Sequence, residues 1–144
     1  PPILTAATYP WLQPDWLSIL IGINDTWRRY DSGQPTSTES YAKSYRNLLE
    51  RAASGTKARL ILLEPFVLPT PADREAWRED LDPKITVVRQ LAREFGALYV
   101  PLDGIFAAAA TQRPMEFWAY DGVHPTQAGH ALIAQHWLRS VGAL

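Results

Sequence analysis

Two short stretches carry residue types at spacings that catalysis can use. Asp121-Gly122-Val123-His124-Pro125 sets a carboxylate three residues before an imidazole. In a loop, that spacing lets the carboxylate curl onto one ring nitrogen and leaves the other open, the arrangement by which an acid fixes the tautomer of a general base. An imidazole with an unperturbed pKa of about 6.5 exchanges protons near neutrality. Gly22-Ile23-Asn24-Asp25 offers a second group, because a side-chain amide at Asn24 can donate to an oxyanion, a contact worth about 2.7–4 kcal/mol in hydrolases. Each stretch also has a plainer reading, since Asn-Asp after Gly and Asp-Gly before His-Pro are ordinary turn chemistry. Taken together as functional groups they suit acyl transfer.

Composition removes other chemistries. The chain has no Cys, which excludes disulfide scaffolds, thiolate metal sites and Cys nucleophiles. Its three His, at 124, 130 and 136, are six apart; on a helix each turns by about 240° from the last, so they share no face and a three-His metal site is disfavoured. Lys plus Arg number 14 against 15 Asp plus Glu, a net charge of -1, so no basic excess marks nucleic acid as a partner. The longest apolar stretch, 16–23, is too short to span a bilayer. Compartment and oligomeric state stay open.

Elements must bring the two stretches together. With 144 residues, 47% of them apolar, residues 1–144 are expected to form a single domain. Residues 1–14 hold four Pro and read as irregular or as the end of a helix. Residues 15–21 form an apolar, β-branched and aromatic run that suits a strand buried on both faces, closed by Gly22. A capping box from Thr36 to Glu39 starts a helix with apolar positions Tyr41, Tyr45, Leu48, Leu49 and Ala52, ended by a left-handed Gly55. Residues 58–63 form a second strand. The helical pattern resuming at Ala72 is expected to break at Pro83, with Asp82 capping a helix that carries Ile85, Val88, Leu91, Ala92 and Phe95 and stops at Gly96. A third strand follows over 97–102, then a short helix over 105–110, a loop over 118–125 and a last helix over 126–141. Alternating strands and helices build a parallel sheet covered on both faces, and ligands bind such a sheet beyond the carboxyl ends of its strands. Three strands fall short of the usual five or so.

Gly22-Ile23-Asn24-Asp25 and Asp121-Gly122-Val123-His124-Pro125-Thr126, in this order and with two strand and helix units between them, resemble the third and fifth conserved blocks of the SGNH hydrolases, or GDSL-type lipases and esterases. The resemblance covers most of the chain. It implies a three-layer α/β/α, flavodoxin-like parallel sheet and the hydrolysis of acyl esters through an acyl-enzyme, with no metal and no organic cofactor needed. It makes Asn24 the side-chain oxyanion donor, His124 the general base and Asp121 its orienting acid. The family's Gly-Asp-Ser block and a second Gly-bearing block do not occur, and none of Ser18, Ser32, Ser37, Ser40, Ser44, Ser54 or Ser140 stands at the end of a strand before a helix. The chain also opens Pro1-Pro2, with Met115 as its one Met. The domain is therefore expected to be incomplete at its N-terminus, lacking a strand-helix-strand unit that holds the nucleophilic Ser and covers the edge of the 15–21 strand.

The implied substrate is a small-molecule or carbohydrate ester, with short-chain acyl or O-acetyl groups favoured by the Trp-rich rims. Gly22, Trp27 and Trp118 are expected to contact it, the two Trp by stacking, with packing as their alternative role. Tyr30, Asp31 and Tyr120 are further wall candidates, and Glu64 and Phe66 end a strand at the same rim. Arg28 and Arg29 read as a solvated face, and His130 and His136 as helix residues without catalytic duty. Two other functions fit the same residues: a noncatalytic carbohydrate-binding module, and an inactive fragment of a hydrolase.

Overall fold

The computed structural model describes residues 13–144; of the stretch read as irregular at the start of the chain, residues 1–12 lie outside it. Three parallel strands, β1 (Trp16–Ile19), β2 (Arg59–Leu63) and β3 (Leu98–Val100), pair in the order β1-β2-β3. Leu17 sits opposite Leu60, and Ile61 opposite Leu98. Successive side chains of a strand point to opposite faces, and the core divides accordingly. Leu60 and Leu62 pack with Tyr41, Tyr45 and Leu49 of α2 (Thr38–Gly55) and with Val88 and Leu91 of α3 (Arg78–Glu94). Ile61 and Leu63 pack on the other face, with Leu102 and Phe106 of α4 (Leu102–Ala110) and with partly buried Leu132, Ile133 and Trp137 of α6 (Gln127–Ser140). The expected three-layer α/β/α arrangement is what these two clusters build.

Several local expectations are corrected. β1 is not buried on both faces: of its four residues only Ile19 is buried, and Leu20 and Ile21 just beyond it are 42% and 41% exposed. Its sole strand partner among the described residues is β2, so no described strand pairs with its second edge. The capping residue of α2 is Ser37, whose hydroxyl accepts from the Ser40 amide at 3.1 Å. That register places Ser40, not Glu39, at the position where a capping box needs its acid. Gly55 keeps a right-handed conformation inside α2, which ends at extended Thr56; Gly96, with φ 59°, is the left-handed stop expected after α3.

Pro83 does not end a helix. α3 runs through it, preceded by a 3-10 segment from Ala72 to Trp77, so Asp82 is an interior residue paired with Arg78 rather than a cap. An interior Pro costs about 3 kcal/mol. Trp77, Leu81 and Ile85 are all nearly fully buried in one cluster, and fully burying each such side chain is worth about 1.5–3 kcal/mol. This stripe at intervals of four straddles Pro83 and holds the axis continuous. β3 is shorter than expected because Leu102 already belongs to α4. α1 (Ile23–Asp31) begins directly after Gly22, where a loop was expected, and α5 (Met115–Trp118) takes in Trp118, expected as the first loop residue. Among the described residues no helix is long and apolar enough to cross a membrane.

Candidate active site

α1 begins where the chain leaves β1, and Gly22 makes that turn possible. It has φ 125°, and a side chain there would place its Cβ 2.6 Å from the Tyr41 hydroxyl. Only Gly combines that backbone with that approach. The Gly22 carbonyl accepts from the Asp25 and Thr26 amides at 3.1 and 3.3 Å. Asn24 is thereby fixed in the first turn of a helix rather than in a free loop, as the sequence reading had it. Gly22 itself is buried against Tyr41 and Pro65 and acts on the site through the position of Asn24.

The second stretch is held from below by Gly122. Its φ is 86°, and a Cβ would lie 2.4 Å from the Leu68 carbonyl oxygen and 2.5 Å from that of Thr70. Its own carbonyl accepts from the Leu68 amide at 2.9 Å. The loop that leaves β2 therefore seats the Asp121–His124 turn. Gly122→Ala should lower stability by about 2 kcal/mol or more, because a left-handed backbone and a backbone clash add. Thermal melting measures it, and a shift within error of wild type would show that this contact does not hold the turn.

On that seat Asp121 makes three hydrogen bonds. One carboxylate oxygen accepts from the Val123 and His124 amides at 3.2 and 2.9 Å, and the other lies 2.7 Å from His124 Nδ1. Partial burial alone would raise the Asp121 carboxyl, but the His124 ring and the two amides outweigh it and hold its pKa below the usual carboxylate range. An ionised carboxylate only accepts, so Nδ1 carries the proton and Nε2 keeps a lone pair. The imidazole is half exposed and sits between two rings: Tyr120 stacks on it at 5.7 Å with 13° between planes, and Trp27 approaches at 5.5 Å. Nε2 has no partner among the described residues.

An open cleft of about 310 Å³ is lined by Asn24, Trp27, Arg28, Asp31 and His124. The amide and the imidazole, 100 residues apart in sequence, thus share one space beyond the carboxyl ends of the strands. A carboxylate-oriented imidazole beside an amide donor can accept a proton from a hydroxyl and stabilise an oxyanion. None of the seven Ser lines this cleft.

The other expected positions divide. Trp27 is in the cleft, but its ring is also engaged by Trp77 at 5.2 Å and by the Arg74 guanidinium at 5.0 Å. Trp118 is not brought there: its indole donates to the Ala109 carbonyl at 3.0 Å, and it packs with the α4 and α6 cluster. Tyr30 donates to the Ala76 carbonyl and stacks on Trp77. Glu64 and Phe66 do not reach substrate space. Phe66 is stacked on Phe106, and buried Glu64 accepts from Arg89, Tyr99 and the Asp103 amide. Arg29 is not simply solvated, since it pairs with Glu79 and Asp80 and ties α1 to α3. His130 and His136 lie on α6, away from the cleft lining. Arg28 is exposed, as a solvated face requires, and it also lines the cleft. Its signal in the sequence was its spacing of four from Asn24, which becomes visible once 23–31 is known to be helical.

A family model for the GDSL-like lipase/acylhydrolase family matches residues 5–132. An acetylxylan esterase from Geobacillus stearothermophilus is 34% identical over 133 residues, which are 90% of this chain and 60% of that protein. Among solved structures, a candidate GDSL-like lipase from Parabacteroides merdae superposes with a TM-score of 0.84 at 35% identity, covering 92% of this chain and 62% of its own. Axe2, an acetylxylan esterase from Geobacillus stearothermophilus, does so with a TM-score of 0.78 at 32% identity, covering 90% and 60%. The chain thus spans about three fifths of the length of these relatives.

Proposed function

The chain belongs to the GDSL-like lipase/acylhydrolase family, and from that premise we propose that it supplies the base, its orienting acid and an oxyanion donor to a serine ester hydrolase. The observation that carries this reading is the 2.7 Å contact of Asp121 with His124 Nδ1, on an imidazole that opens into the cleft lined by Asn24. The substrate class is a short-chain acyl ester, with carbohydrate O-acetyl esters favoured by the polar cleft and by the acetylxylan esterases among the relatives.

In this mechanism a Ser from outside these 144 residues attacks the ester carbonyl. His124 Nε2 takes the Ser proton as the oxygen bonds to carbon, and Asn24 donates to the carbonyl oxygen as it becomes an oxyanion. Asp121 stays ionised and stabilises the imidazolium. The C–O bond to the leaving alcohol then breaks, with the proton passing from His124 to that oxygen. Water, activated by the same imidazole, releases the acid from the acyl-enzyme.

The test is acetate release by the full-length protein from 4-nitrophenyl acetate and from an acetylated oligosaccharide, with mass spectrometry locating the Ser labelled by a fluorophosphonate. Hydrolysis with a label outside residues 1–144 is the expected result. Saturable sugar binding without acetate release would instead establish the noncatalytic carbohydrate-binding alternative. Asn24→Ala should lower kcat by about 10²–10³-fold with little change in KM, because the donor acts on charge that exists only in the transition state. A loss confined to KM would remove Asn24 from the oxyanion role.

A further inference from the structure

One face of α1 looks into the cleft. Asn24, Trp27, Arg28 and Asp31 line it, and their spacings of three, four and seven from Asn24 are those of a single helical stripe. The proposed chemistry uses Asn24, and Trp27 supports His124. Arg28 and Asp31 are left. Both are exposed, and neither side chain makes an ion pair, hydrogen bond or ring contact among the described residues. By contrast Arg29, next to it on α1, and Arg74, whose guanidinium lies over the Trp27 ring, are both engaged by carboxylates. At 1.5 Å of rise per residue, Arg28 stands about 6 Å and Asp31 about 10 Å along the axis from Asn24.

We propose that Arg28 and Asp31 form a subsite that holds the hydroxyl groups of the alcohol half of the ester, and so determine substrate choice; this rests on the esterase reading above. The chemistry of the pair selects its ligand. An anionic group would meet the Asp31 carboxylate and a cationic one the Arg28 guanidinium. An aliphatic chain would strip water from both charges with nothing in return. A hydroxyl donates and accepts at once, so neighbouring hydroxyls satisfy Arg28 as donor and Asp31 as acceptor together. The Trp27 ring is already held by Trp77, Arg74 and His124, which gives hydrogen bonds rather than stacking the larger part in recognition.

The experiment compares Arg28→Ala and Asp31→Ala with wild type in the full-length protein, on a monoacetylated methyl pentoside and on 4-nitrophenyl acetate, whose alcohol half has no hydroxyl to offer. A hydrogen bond to a charged group is worth about 1.5–3 kcal/mol. The ratio of kcat/KM for the sugar ester to that for the aryl ester should therefore fall by about 10–100-fold in each variant, mainly through KM for the sugar ester. Calorimetric titration with the deacetylated methyl pentoside should show affinity weakened by at least about tenfold. An unchanged ratio, an equal loss on both esters, or glycoside affinity equal in wild type and variants would overturn the subsite, as would failure of the wild type to bind the glycoside. Failure of the wild type to hydrolyse either ester would overturn the esterase reading alone, and the titration would still decide the subsite.

Discussion

His124→Ala in the full-length protein is expected to lower kcat for 4-nitrophenyl acetate by at least about 10³-fold, equivalent to about 4 kcal/mol of transition-state stabilisation. Among the described residues that line the cleft, the imidazole is the one group with an open nitrogen lone pair and a carboxylate fixed behind it. In the proposed mechanism, without it the Ser hydroxyl must lose its proton to water. Because the His124 side chain is 54% exposed and its ring contacts among the described residues are with Trp27, Tyr120 and Asp121, the fold should survive, with a circular dichroism spectrum like wild type. Asp121→Asn separates orientation from proton transfer. An amide can donate as well as accept, so the wrong tautomer becomes available and kcat should fall comparably. Activity of His124→Ala within about tenfold of wild type would remove the base from this position and the proposed function with it.

Lys84→Ala is expected to lower stability by about 3–5 kcal/mol, a fall in Tm of roughly 10–15 °C. Lys84 is fully buried, and its ammonium pairs with the nearly buried carboxylate of Asp80 one turn earlier on α3. Arg29 of α1 reaches the same carboxylate at 3.3 Å. Removing the ammonium leaves a buried charge with one charged partner, Arg29, at the rim, which costs far more than a surface pair. Burial by itself would raise the Asp80 carboxyl, but the hydrogen bond from Lys84 and the further donors around it hold its pKa below the usual value. The sign follows: a depressed carboxyl adds stability above its unfolded pKa of about 3.9 and loses it as pH falls through the folded value. Below about pH 4 the variant should therefore be less pH-dependent than wild type. A double-mutant cycle with Asp80→Ala should give a coupling of about 0.5–3 kcal/mol, and strictly additive losses would exclude the pair. Since α1 carries Asn24 and rests on this pair, kcat should fall with stability in Lys84→Ala.

The residue types proposed to react were legible in the sequence because they are scarce and their spacing is local. A chain with three His and no Cys leaves few candidate bases. Asp121 and His124, three apart with Gly122 between them, needed only a tight turn to meet. Alternating strands and helices likewise settle the parallel sheet, since a right-handed crossover allows little else. The two-sided core follows from the alternation of Leu60, Ile61, Leu62 and Leu63.

What the tertiary structure decided is everything that depends on distant partners. The sequence around Asn24 reads as a turn, because Gly-Ile-Asn-Asp has weak helix preference. α1 forms there because Trp27 and Tyr30 are packed on Trp77 and Arg29 is paired across to α3. Pro83 lies inside a helix because burial of Trp77, Leu81 and Ile85 on either side outweighs the hydrogen bond it cannot make. The need for Gly at 122 is set by the carbonyls of Leu68 and Thr70, more than fifty residues away. Trp118 has a sequence neighbourhood as suggestive as that of Trp27, yet its indole is spent on Ala109 while Trp27 stands against the His124 imidazole. Local spacing determines which groups can react. Packing between elements determines which side chains face the cleft, because a helical face acquires a direction only when its opposite face is buried.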